Sequence, residues 1–205
     1  MEEIVIAEEI VRYYRRFDEN HQWLTWNSAC WTIVKPVDHR PDLWEIATTL
    51  SRSGDDYEIV RLDVREGGLT LGKLVLFVEI LDDGYFLLDP YDMYGSEDTV
   101  VRVLSERARV WSLSWVSPLM RLTHMEDREI LVQSPNLHAY TRMYGTMPHL
   151  LDDELDFVWH LCEQDGTVPG VAEMMAVMEL ATGVRMNDDF VAGTGTALII
   201  DDPIR

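Results

Sequence analysis

Apolar residues recur at helical spacing near the start of the chain, where Ile6, Ile10, Val11, Tyr14 and Phe17 form one stripe. Acids come first in that segment and Arg12, Arg15 and Arg16 come last. A helix dipole favours that order, so residues 3 to 17 predict a first helix. The period then changes. Ala29-Cys30-Trp31-Thr32-Ile33-Val34 is aromatic and β-branched, which predicts a buried strand closed by Pro36. Helical spacing returns from Pro41 to Leu50 through Leu43, Ile46, Ala47 and Leu50.

Strand signals follow over Tyr57 to Val64, Lys73 to Ile80 and Tyr85 to Leu88, the last two joined by the turn residues Asp82-Asp83-Gly84. Ser96 is placed to cap a helix running to about Ala108. Three more strands are expected at Val110 to Val116, Met120 to His124 and Glu129 to Gln133. Pro135 to Pro148 is the one stretch that reads as a connection. Beyond it, Asp152-Asp153-Glu154 opens a helix carrying Leu155, Val158, Trp159 and Cys162. Pro169 opens another, ended at Gly183, and Ala197 to Ile200 reads as a terminal strand.

The pattern predicts an α+β fold: an antiparallel or mixed sheet of about six strands in the first two-thirds with packed helices, then an acidic helical C-terminal section. A chain of 205 residues suits a single domain, 1–205. Its alternative is a division into a sheet-containing part, 1–134, and a mainly helical part, 150–205.

Charge sharpens this picture. Seventeen basic residues face 37 acidic ones, a net charge of −20. Phosphate backbones and anionic membrane surfaces repel such a chain, so direct nucleic-acid or membrane binding is not expected. Residues 150 to 205 hold 12 of the acids and only two bases, Arg185 and Arg205, and so carry half of the excess. Solubility alone accounts for such acidity in many proteins, and a basic macromolecular partner is the competing account.

Cys30 and Cys162 lie in apolar runs and read as reduced core thiols rather than a disulfide framework. The first residues carry acids where a signal peptide needs bases, and no apolar run reaches the length of a membrane span. A cytoplasmic location is expected. Of the seven tryptophans, most read as core anchors and one or two as interface residues.

Catalytic chemistry has little foothold. No HxxxH or HxH pair, nucleophile elbow, P-loop or GxGxxG is present, so neither an enzyme nor a bound cofactor is expected. Asp82, Asp83, Asp89 and Asp92 are the one acidic grouping that could hold a divalent ion, and turn chemistry explains them without one. Met174, Met175 and Met178 read as core rather than as an adaptable binding face.

Several short segments resemble an uncharacterised family common in actinobacteria and known only as a domain of unknown function. They are Trp31-Thr32-Ile33-Val34, the strand from Gly72 to Glu79, and Leu104-Ser105-Glu106-Arg107-Ala108 leading into Val110-Trp111-Ser112. The nearest likeness is Glu179-Leu180-Ala181-Thr182-Gly183-Val184-Arg185. The resemblance spans residues 24 to 192 and implies no activity, cofactor or catalytic residue. Together with the charge, it leaves a binding protein for a basic partner such as a toxin as the expected function. An immunity protein or antitoxin is its most concrete form, with Asp152, Asp153, Glu154 and Asp156 as contacts and Trp159 as anchor. The alternatives are a nucleic-acid mimic that blocks a DNA-binding protein, and a metal-dependent enzyme or small-molecule sensor using Asp82 to Asp92.

Overall fold

The computed structural model describes residues 2–66, 73–116, 119–134 and 143–204. Among these residues eight strands form one antiparallel sheet: β1 (Ser28–Pro36), β2 (Tyr57–Asp63), β3 (Leu74–Leu81), β4 (Gly84–Asp89), β5 (Ala108–Val116), β6 (Leu119–Glu126), β7 (Glu129–Ser134) and β8 (Thr194–Ile200). Their order across the sheet is β2-β8-β3-β4-β1-β5-β6-β7. The fold is α+β with an antiparallel sheet, and the expected count of about six strands is corrected to eight. β8 comes from the acidic last third and pairs with β2 on one side and β3 on the other. Ala197 and Leu198 are fully buried there, because each belongs to one of the two cores packed on opposite faces of the sheet.

Seven helices cover the sheet among the described residues: α1 (Glu2–Asn20), α2 (Gln22–Thr25), α3 (Leu43–Leu50), α4 (Asp98–Leu104), α5 (Asp152–Asp165), α6 (Val171–Thr182) and α7 (Asp188–Ala192). On one face, Trp31, Ile33, Phe77, Phe86, Leu113 and Trp115 meet Tyr14 and Phe17 of α1 and Met174, Met175 and Met178 of α6. The methionines are fully buried, so they fill the core. On the other face, Val34, Leu76, Val78, Tyr85 and Leu87 meet Ile46 and Leu50 of α3 and Val101 and Leu104 of α4. Alternate residues of β1 and β3 therefore serve opposite cores, which is why both strands read as unbroken apolar runs.

Local chemistry sets the ends of these elements. Asp42 caps α3, accepting from the backbone N–H of Trp44 and Glu45, while Glu45 accepts from Asp42 N–H in return. Ser96 does not cap α4; it sits in a 3-10 turn, Tyr94–Ser96, and Glu97 holds the N-cap position instead. Gly183 ends α6 in the left-handed conformation, φ 71°, as its position predicts. Asp127 and Arg128 both adopt positive φ in the turn between β6 and β7, held by Asp127 Oδ1 to Arg107 N–H and by Arg128 N–H to Ser105 Oγ. Part of the expected Pro135–Pro148 connection lies outside the described residues.

Gly84 has a role that its Asp-Gly sequence does not show. The register pairs it with Leu81, so Asp82 and Asp83 form the turn and Gly84 already belongs to β4. A Cβ at Gly84 would overlap the carbonyl oxygen of Val34 on neighbouring β1. We expect Gly84→Ala to destabilise the fold by about 3 kcal/mol or more, because backbone on both strands must shift. Urea unfolding tests this; a midpoint equal to wild type would show that β1 and β4 separate freely at this point.

Candidate functional site

The acidic last third divides once its ion pairs are traced. Arg15 of α1 bonds Asp165 at 2.5 Å and Glu173 at 2.8 Å, and Arg185 grips Glu179 at 2.6 Å. His21 meets Asp188 at 2.7 Å, Lys73 meets Asp201 at 2.9 Å, and Arg52 lies 3.7 Å from Asp202. These acids are structural. Arg185 also lies over the Tyr13 ring, and the Tyr13 hydroxyl donates to Met186 O, so this set of contacts fastens α1 to the end of α6.

Helix α5 is different. Asp152 lies 2.8 Å from His149, but Asp153, Glu154, Asp156 and Glu163 make no ion pair among the described residues. Its sequence, DDELDFVWHLCEQD, contains no Lys or Arg. The first-turn acids suit the helix N-terminus; Glu163, in the last turn, opposes the negative end of the dipole. Leu155, Val158 and Cys162 turn inward as the periodicity predicts. Trp159 is half-buried against the same core rather than projecting, which limits it to the edge of any contact. Met147 and Leu150, just before α5, are the exposed apolar residues beside the acids.

Asp82, Asp83, Asp89 and Asp92 do not converge. The first two lie at the turn before β4 and the others at its far end, about 17 Å away for six residues of strand. Asp83 is engaged by Lys35 Nζ at 2.6 Å. Asp89 is buried and accepts from the backbone N–H of Tyr91 (3.2 Å), Asp92 (2.9 Å) and Tyr94 (3.3 Å). Turn chemistry thus occupies the carboxylate. Among the described residues no group of three or more His, Cys, Asp or Glu is arranged to hold a metal ion.

Next to Asp89, the helix-covered face of α3 and α4 has a polar centre. The hydroxyls of Thr32 and Ser112 lie 3.0 Å apart, each 3.1 Å from the carbonyl of Gly95. Cys30 Sγ is 3.3 Å from Ser112 Oγ and 3.4 Å from Thr32 Oγ1. The arrangement resembles a nucleophile with helpers, yet burial pushes the Cys30 thiol up to about 12, so it stays protonated and inert. A Cβ on Gly95 would approach these atoms to 3.1–3.2 Å, so the glycine lets the 3-10 turn seal the cluster.

Between α3 and α4 lies an open groove of about 320 Å³. Val34, Pro36, Pro41, Tyr85, Leu104 and Ala108 contribute to its wall, and Asp38, His39, Glu106 and Arg107 are its charged and titratable members. The charges are paired: Arg107 bonds Asp38 at 2.6 Å, and Glu106 pairs with Arg128. Periodicity did not reveal this site, because its residues come from four separated segments. The one signal was Tyr85, a phenol in a buried strand that is otherwise apolar up to Asp89.

Burial is the largest influence on Asp89 and pushes its carboxyl up from 3.8 to about 6, against three N–H donors that act to lower it. Between these values the folded chain keeps a proton that the unfolded chain has lost, so stability from Asp89 falls as pH rises and levels off above about 6. The loss amounts to ~3 kcal/mol. The stability of wild type minus that of Asp89→Asn, from urea unfolding between about pH 4 and 7, should decline through that window; a flat difference would refute the shift. Comparison with known proteins gives no further guide: no family model, no curated protein and no solved structure matches this chain.

Proposed function

We propose that the protein binds and neutralises a basic macromolecule, with the outward face of α5 as the docking surface. The observation that carries this reading is the set of carboxylates on Asp153, Glu154, Asp156 and Glu163 that no cation among the described residues pairs with. Seven other acids of the last third have partners within the fold, so general acidity is not the whole account. Holding like charges together on one short helix costs stability through self-repulsion. A cationic partner repays that cost, and its lysines and arginines would be steered toward α5 before close contact forms.

The most concrete form of this function is an immunity protein or antitoxin that occludes a toxin, acting in the cytoplasm. The proposal includes membership of the actinobacterial family that the short segments resemble, a resemblance that implies no other activity. Among the described residues no helix is long and apolar enough to cross a membrane. Asp152 is tied to His149 and takes a supporting place at the surface's edge, with Met147 and Leu150 supplying apolar contact.

The test is capture from the native host's lysate with the wild-type chain and with a variant carrying Asp153→Asn, Glu154→Gln, Asp156→Asn and Glu163→Gln. A basic protein should be retained by wild type only, and its association rate should fall at least tenfold between low and high salt. Capture that is equal for both chains, or an association rate indifferent to salt, would remove the basis for the proposal.

A further inference from the structure

We propose that the groove between α3 and α4 is a binding site for a small uncharged molecule, mostly hydrocarbon, bearing one carbonyl or hydroxyl oxygen. Its volume, about 320 Å³, is at the lower end for small-molecule sites. Such a space is too small for a helix or strand of a partner and large enough for a one- or two-ring compound. Val34, Pro36, Pro41, Leu104 and Ala108 offer the apolar contact that a hydrocarbon body needs.

The polar specification comes from Tyr85. It lines the groove, is only 3% exposed, and its hydroxyl has no hydrogen-bond partner among the described residues. The ring is buried while the hydroxyl still reaches the solvent of the groove, where water meets its hydrogen-bonding need until a ligand oxygen takes that place. Burial also raises its pKa well above the usual phenol range, so it remains an O–H donor. The groove therefore holds a donor on a ring fixed by packing, open to an acceptor oxygen that displaces water.

Charge narrows the class further. Arg107 is engaged by Asp38 and Glu106 by Arg128, so the rim presents balanced pairs rather than a free cation. An anion would meet no unpaired positive group there and would approach against a net charge of −20. A neutral ligand faces neither obstacle. The rim is also held in shape: Arg107 sits at φ 58°, its N–H bonded to Asp127 Oδ1 and its carbonyl to Val37 N–H. This site is on the opposite face of the sheet from α1 and α6 and does not depend on the α5 reading.

Saturation-transfer NMR on the full chain can test the proposal with three probes of similar size: acetophenone, ethylbenzene and benzoate. Acetophenone should bind saturably, and benzoate should not. Tyr85→Phe should weaken acetophenone about three- to tenfold, the worth of one neutral hydrogen bond, and leave ethylbenzene unchanged. Val103→Trp, which enlarges a half-buried residue of the groove wall, should abolish binding of both neutral probes. The absence of saturable acetophenone binding would overturn the proposal. So would affinity unaltered by Tyr85→Phe, or benzoate binding as tightly as acetophenone. Tyr85→Phe keeps the ring and decides the question even if Val103→Trp does not fold.

Discussion

Burial of both faces of one antiparallel sheet is the constraint on which the remaining structure rests. β1 lies between β4 and β5, with Trp31 and Ile33 directed to the α1–α6 side and Val34 to the α3–α4 side. Each face must exclude water over a broad area, and helices alone supply the cover. The two covers differ. On one side α1 and α6 close over aromatic and methionine side chains, and a set of ion pairs from Arg15 and Arg185 fastens the layer at its border. On the other, α3 and α4 are short, and the space they leave becomes the groove.

That asymmetry explains where polar groups can survive inside. Thr32, Ser112 and Cys30 sit on the thinly covered face, where the 3-10 turn brings the Gly95 carbonyl down onto them. Their mutual hydrogen bonds satisfy hydroxyls that burial would otherwise make costly. On the thickly covered face, Trp31 Nε1 is left without a partner, a sign that packing of its ring outweighs one unmet donor. Of the seven tryptophans, Trp31, Trp111 and Trp115 are buried, Trp23 and Trp159 are half-buried, and Trp26 and Trp44 face solvent.

Much of this was legible in the residues. The amphipathic stripe of α1, the apolar runs of β1 and β3 and the glycine end of α6 each follow from local periodicity or local backbone chemistry. What periodicity does not encode is which strand lies beside which. β8 reads as a terminal strand wherever it pairs, so its place between β2 and β3 was hidden. The candidate sites follow the same logic. The acids of α5 are adjacent in sequence and could be picked out, but only the fold tells that Asp165 and Glu173 share Arg15 while Glu163 has no ion pair among the described residues. Asp82 and Asp89 are close in number yet lie at opposite ends of a strand, and the groove joins residues from four segments.

The position of β8 has a consequence for how the molecule is made. Synthesis reaches residues 194–200 after every other described strand, yet this strand is interior. Until it emerges, β2 has no strand partner and β3 presents one open edge of backbone N–H and C=O groups beside Val75 and Phe77. Open edges of that kind are sites of intermolecular pairing. A chain halted before residue 194 is therefore split in its sheet rather than shortened at its end, and the nascent protein is vulnerable to aggregation until its last strand inserts.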